Sequence, residues 1–334
     1  MKKFIINIFW FSSILFFIFP IEACISMLNK NLFLEQKMDS IYINEGSNYK
    51  WINKIDNKKI LLLGSSSVRY GLSCSLLNSL ANDTLSFVNL AMDARDPIQT
   101  YFILKQIDLT NVKAVCFGLD SFIYTKSYYK YRNVYLYLDL SFFSGLMYAI
   151  EYDKSFFSKR YKSFYKYLFS SNNNNNNNCK TEIPIDFGSV KLESNPINFD
   201  KPADEIYQLE KYGWSKLQFV YLEKIVLLCK RKKIDFYSFI PPKRSDYSNS
   251  YKKTCNIIHD EFVKNLLSMN FTEPIFGKFN QLDTLGDNDL FKEAYHLNSR
   301  GQEIYSKLFF KMLIDNKEKF SSNYKWFNEK NQMN

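Results

Sequence analysis

An α/β fold, with helices flanking a mainly parallel sheet, is what this 334-residue sequence predicts. Three observations carry the prediction. Short apolar runs alternate with stretches of helical periodicity, the pattern of a sheet built from strand-helix repeats. The polar residues capable of chemistry fall just after those apolar runs. The 46% hydrophobic content suffices for one large core, so the chain reads as one enlarged domain behind an N-terminal segment.

Taken in order, residues 59–63 form the first strand, with residues 72–80 part of the helix that follows, and residues 85–90 form the second strand. Pro97 opens a helix to about residue 107, as proline does in a first turn, and residues 112–119 form the third strand. Leu217, Val220, Tyr221, Ile225 and Leu228 give residues 217–232 one apolar side, and the Lys230-Arg231-Lys232-Lys233 run suits a helix C-terminus. Residues 234–240 form the next strand, stopped by Pro241-Pro242. A helix over 249–268 and a short last strand at Ile275-Phe276 follow. The final helix begins just beyond His296, where Ser299 and Gln302 have capping-box spacing and Ile304, Leu308 and Met312 share a face.

The most informative local feature is Gly64-Ser65-Ser66 directly after Ile60-Leu61-Leu62-Leu63. A serine hydroxyl needs a positioned base to become a nucleophile, and neutral imidazole suits that work near neutral pH. The chain has two histidines. His259 falls in the pattern of a helix and reads as an ordinary helix residue, which leaves His296 as the candidate base.

Four blocks together resemble the SGNH hydrolase superfamily, the GDSL-type esterases and acyltransferases, over about residues 57–124 and 215–315. The first is Gly64-Ser65-Ser66, in which the resemblance makes Ser66 the nucleophile. The second is Asn89-Leu90-Ala91-Met92-Asp93-Ala94, in which alanine replaces both glycines usual in the family, and the Ala94 N–H would serve as oxyanion donor. The third is Gly118-Leu119-Asp120, with Asp120 where the family has an oxyanion-binding asparagine. A carboxylate accepts hydrogen bonds where an amide donates them. Asp120 is therefore protonated, turned toward a cation such as Arg69, or assigned another job, and it reads as structural before catalytic. The last block is Glu293-Ala294-Tyr295-His296 in place of Asp-x-x-His. The resemblance implies that Glu293 orients His296, with Asp283, Asp287 and Asp289 as rivals. It also implies a three-layer flavodoxin-like fold, catalysis by Ser66, His296 and Glu293, and an oxyanion site from Ser66, Ala94 and Asp120. The plain alternatives are that Ser66 caps the helix beginning near Val68 and that His296 closes a loop.

Residues 4–21 are almost wholly apolar behind Lys2-Lys3, about one bilayer thickness of helix. The expectation is an uncleaved transmembrane anchor with the main domain on the extracytoplasmic side; a cleaved signal peptide and a lipoprotein site at Cys24 are the competitors. Residues 1–28 are thus the anchor or signal segment, 29–56 a linker, 57–320 the SGNH-like domain and 321–334 a tail. An aromatic-rich insertion at about 125–212 reads as a helical cap, and within it Asn172 to Asn178 form a polyasparagine loop.

The six cysteines lack Cys-x-x-Cys spacing, so no metal site is expected, and no cofactor. Cys116 and Cys229 read as buried small hydrophobes. The net charge of +10 is dispersed rather than gathered into a nucleic-acid motif, so no nucleic-acid partner is expected. The function expected is an esterase or O-acyltransferase, acetyl foremost, working on an exported or cell-surface polysaccharide. A membrane acyl donor is a further candidate partner. The alternative is a glycan-binding or assembly protein that keeps the fold without turnover, and a lipid acyl hydrolase is a weaker third.

Overall fold

The computed structural model describes residues 49–82, 85–126, 142–151, 183–193, 213–242, 261–266, 288–292 and 296–316, together with positions 3, 6, 7, 10, 154, 157, 158, 268, 275 and 276. The chain divides into two compact units, Met1–Tyr49 with Tyr129–Thr181, and Lys50–Tyr128 with Glu182–Asn334.

Among the described residues the second unit holds five strands: β1 (Lys58–Leu63), β2 (Leu85–Asn89), β3 (Val112–Gly118), β4 (Asp235–Phe239) and β5 (Ile275–Phe276). All pair in parallel, in the order β2-β1-β3-β4-β5. Its helices are α1 (Ser66–Arg69), α2 (Cys74–Leu80), α3 (Pro97–Gln106), α5 (Lys216–Lys232) and α6 (Ser299–Asn316). From β1 the chain crosses one way to β2, then reverses to reach β3 and β4. Right-handed crossovers therefore place α2 on one face and α3 and α5 on the other. The packing agrees, since α3 lies against α5 and α6 against α2.

Strand alternation divides the core between these faces. Ile60, Leu62, Ala114 and Cys116 join Leu77 of α2 and Tyr305 and Phe309 of α6 in one cluster. The intervening Leu61, Leu63, Val115 and Phe117 are equally buried. On the other side, Tyr101 of α3 meets Tyr221 of α5 edge to face. Cys74, Cys116 and Cys229 are buried free thiols, and burial pushes the Cys74 and Cys116 thiols up. Among the described residues no group of His, Cys, Asp and Glu is arranged to hold a metal ion.

Several expectations change. The helix after β1 is two pieces, with Tyr70 closing α1 and Ser73 capping α2 anew through its side chain, which accepts the Leu76 N–H. Residues 49–55, expected at the end of a linker, form a 3-10 turn at Tyr49–Lys54 with Trp51 and Ile52 buried at 4% and 0% exposure. Helix α5 buries more than its predicted stripe, adding Phe219, Leu222 and Val226, while Val220 and Leu228 are half-exposed, because it packs against both α3 and the sheet. Helix α6 starts at Ser299 with no capping box. Instead Asn298 accepts the Gly301 N–H at 2.9 Å, and the Gln302 side chain donates to the Leu72 and Val190 carbonyls.

Residues 183–193, placed within the insertion from sequence, belong to the unit that carries the sheet. The Phe187 carbonyl accepts the Asn89 N–H of edge strand β2 at 2.8 Å. Asp186 accepts from Ser73 and from the Ser75 N–H at the start of α2, and the Val190 N–H donates to the Arg69 carbonyl. This segment therefore braces the end of β2, the end of α1 and the start of α2. In the other unit, α4 (Phe142–Glu151) buries Tyr148 and exposes Phe143 and Ile150. Tyr128, Tyr129, Tyr131, Tyr135, Tyr137, Tyr161, Tyr165 and Tyr167 of the aromatic-rich insertion, Asn172 to Asn178, most of the apolar segment 4–21, most of the helix at 249–268 including His259, and the tail at 321–334 lie outside the described residues. Among the described residues no helix is long and apolar enough to cross a membrane.

Candidate active site

In a sheet of order 2-1-3-4-5, the connections leaving β1 and β3 part toward opposite faces, opening a crevice at their carboxyl ends. Of the residues singled out from sequence, Ser66, Ala94, Asp120 and His296 lie at these strand ends or in the loops nearby. At the end of β1, Gly64 adopts φ +144°, and a Cβ on it would lie 2.7 Å from Val68 Cγ2. Only glycine makes this turn without strain. The next residue, Ser65, is extended and caps α1, its hydroxyl accepting the Ser67 N–H at 3.4 Å. The capping role thus falls to Ser65 and not to Ser66, the first residue of the helix.

Ser66 is half-exposed, and its Oγ lies 2.8 Å from Nε2 of His296, 230 residues away in sequence. His296 sits in the loop before α6. That loop is fixed by the Phe291–Leu297 bridge, by the Lys292 N–H donating to the His296 carbonyl at 2.8 Å, and by buried Asn298, whose side chain donates to the Asp289 carbonyl. The Tyr70 ring meets the imidazole edge to face at 4.9 Å. Tyr70 was not singled out from sequence, although its place four residues after Ser66, one helical turn on, was a usable signal. Glu293, Asp283 and Asp287 lie outside the described residues. Asp289 is in a 3-10 turn at Asn288–Leu290.

At the end of β2, the Asn89 side chain donates to the Val68 carbonyl at 3.1 Å and to Ser189 at 3.2 Å, while its oxygen accepts the Ala91 N–H at 3.0 Å. The second block is thereby tied to α1. The Met92 N–H donates to the Gly64 carbonyl at 3.2 Å, and the buried Arg95 guanidinium reaches the Leu90 carbonyl and the Met92 sulfur. Ala94 takes φ +56°, the left-handed conformation that the usual glycine would adopt freely. Beside it, Asp93 receives the Tyr70 hydroxyl at 3.1 Å and pairs with Arg69 at 3.5 Å.

Asp120, expected in the oxyanion set, is a hydrogen-bond acceptor. Its Oδ2 accepts the Ser67 hydroxyl at 2.9 Å and the Ser65 hydroxyl at 3.2 Å, and its Oδ1 accepts the Phe122 N–H at 3.4 Å. A carboxylate receiving donors from three groups does not supply one to an oxyanion. Asp120 thus faces the two serines beside Ser66 and the Phe122 N–H, and the backbone N–H groups of Ser66 and Ala94 are the other candidate oxyanion donors.

No protein-family model matches the chain, and no curated protein does. Solved structures to which it is similar include a catalytic mutant of the acetylxylan esterase Axe2 from Geobacillus stearothermophilus. The identity is 12% and the TM-score 0.38, over 78% of this chain and 96% of that one. A lipolytic protein of the G-D-S-L family from Desulfitobacterium hafniense DCB-2 matches at 12% identity and TM-score 0.36, over 77% and 100%. The acetyl xylan esterase AlAXEase matches at 10% and 0.37, over 77% and 98%.

Proposed function

We propose that this chain is a serine esterase or O-acyltransferase working through a Ser66 acyl-enzyme, with acetyl the favoured group and an exported or cell-surface polysaccharide the favoured substrate. The observation that carries the chemistry is the 2.8 Å approach of Ser66 Oγ to His296 Nε2 in the crevice of a parallel sheet. His296 Nε2 takes the hydroxyl proton as Oγ attacks the acyl carbonyl. The N–H groups of Ser66 and Ala94 hold the resulting oxyanion. His296 then protonates the departing alcohol, leaving the acyl group on Ser66. Attack by water gives hydrolysis, and attack by a sugar hydroxyl gives transfer. Glu293, three residues before His296, has the role of accepting a hydrogen bond from the imidazole Nδ1–H and holding the tautomer. The apolar segment at 4–21 supports membrane anchoring with the domain on the extracytoplasmic side.

The test is mass-spectrometric mapping of a fluorophosphonate adduct. Labelling at Ser66 that disappears in His296→Ala is expected; a folded protein that takes no label would sink the proposal. One observation favours a second reading, a glycan-binding protein with the same fold and little turnover. Asp120 accepts hydrogen bonds where a donor is usual, and loss of one such donor typically lowers a rate about a hundredfold to a thousandfold.

A further inference from the structure

We propose that Asp120 is a positioning residue that clamps the nucleophile turn by holding the two serines on either side of Ser66. This rests on the reading of Ser66 as nucleophile. β1 and β3 are neighbours, so the loops leaving their carboxyl ends run side by side. Across that gap a single carboxylate oxygen receives both the Ser65 and the Ser67 hydroxyl. The other oxygen receives the Phe122 N–H, so the carboxylate is itself held as the cap of the 3-10 turn at Ser121–Tyr124.

All three partners are buried, at 3% exposure for Ser65, 4% for Ser67 and 9% for Asp120, so water competes little for these charge-assisted bonds. As a carboxylate Asp120 only accepts, so the Ser67 hydroxyl donates to it at 2.9 Å and the Ser65 hydroxyl at 3.2 Å, with Ser67 Oγ a longer alternative for Ser65 at 3.4 Å. That leaves the Ser65 oxygen to accept the Ser67 N–H and start α1. An amide at this position would offer donors as well and would not enforce the arrangement. The chain thus lacks one oxyanion donor and has gained a rigid mount. The mount matters because α1 is only four residues long and α2 begins separately at Cys74. With its neighbours held from both sides, Ser66 keeps its Oγ within reach of His296.

The experiment measures the rate of Ser66 phosphonylation in the full-length chain for wild type, Asp120→Ala, Ser65→Ala/Ser67→Ala, the triple variant and Asp120→Asn, each across a pH series. Misplacing a reacting atom by an ångström can lower a rate about a hundredfold. Asp120→Ala and the double serine variant are therefore expected to fall about tenfold to a hundredfold each. The triple variant should be no slower than either, since one clamp is removed in all three. Asp120→Asn, which keeps an acceptor oxygen, should fall less, and the pH midpoint of labelling should match wild type throughout.

A wild-type rate in Asp120→Ala, a multiplied loss in the triple variant, a shifted midpoint or a gain in Asp120→Asn would each overturn the clamp. If Asp120→Ala does not fold, Ser67→Ala alone removes the 2.9 Å bond; a severalfold loss supports the clamp and an unchanged rate refutes it. A wild-type chain that takes no label ends both this inference and the esterase reading. Labelling that is indifferent to Asp120 ends only this one.

Discussion

Gly118→Ala should destabilise the protein through a single side chain, Val68. A Cβ at position 118 would lie 2.2 Å from Val68 Cγ2, against the 3.4 Å where ordinary contact begins, with Pro241 Cγ at 3.3 Å and Phe239 Cζ at 3.4 Å closing the other sides. Val68 is 1% exposed, and its Cγ2 also fills the space beside Gly64, so it has no open direction in which to yield. Overpacking of this kind costs about 1–3 kcal/mol. Val68→Ala alone removes two buried carbons, worth about 1.6 kcal/mol at roughly 0.8 per methylene, plus a cavity contribution, for about 2 kcal/mol. Together, however, each change removes the other's problem: the new methyl occupies the space that Cγ2 vacates. The double variant should cost about as much as Val68→Ala alone, a coupling of about 1–3 kcal/mol. Thermal unfolding of the four proteins reads this as about 2–4 °C per kcal/mol. Val68 is two residues from Ser66, so fluorophosphonate labelling should fall in Gly118→Ala and recover in the double variant. Additive losses in both assays would refute the packing account.

Two further outcomes follow from the geometry. Ala94→Gly relieves a left-handed alanine worth about 1–2 kcal/mol and costs about 0.5–1 kcal/mol in unfolded-state freedom. Stability should stay level or rise by up to about 1.5 kcal/mol, and a melting temperature lowered by several degrees would contradict the assignment. Burial pushes the Tyr237 phenol up to about 12 and raises those of Tyr124 and Tyr305 further. The folded state therefore holds these protons more tightly than the unfolded state, whose phenols titrate near 10. Their contribution is complete below pH 10 and is lost as pH rises toward 12. Denaturant midpoints should decline over that window, less steeply in Tyr237→Phe; equal slopes would mean that Tyr237 plays no part.

Much of the fold was legible because its signals are local. Apolar runs of strand length, Pro97 after Asp96 and a basic run closing α5 set the element order to within a residue or two. Where prediction slipped, a tertiary contact displaced the local rule. Asn298 took the cap from Ser299 because its side chain bridges the Asp289 carbonyl and the Gly301 N–H. Residues 183–193 carry no periodicity that marks them as part of the sheet unit, since they join it through scattered hydrogen bonds to β2, α1, α2 and α6.

The sequence by itself determined the kind of fold, and the resemblance of its four short blocks to SGNH hydrolases singled out Ser66 and His296, because each block is a pattern within a short window. It could not decide which serine caps α1 or what Asp120 does. Both depend on where the ends of β1 and β3 come to lie side by side. A carboxylate's role is set by the donors that surround it, and here those donors are supplied by a loop more than fifty residues earlier in the chain. Only the folded sheet brings them together.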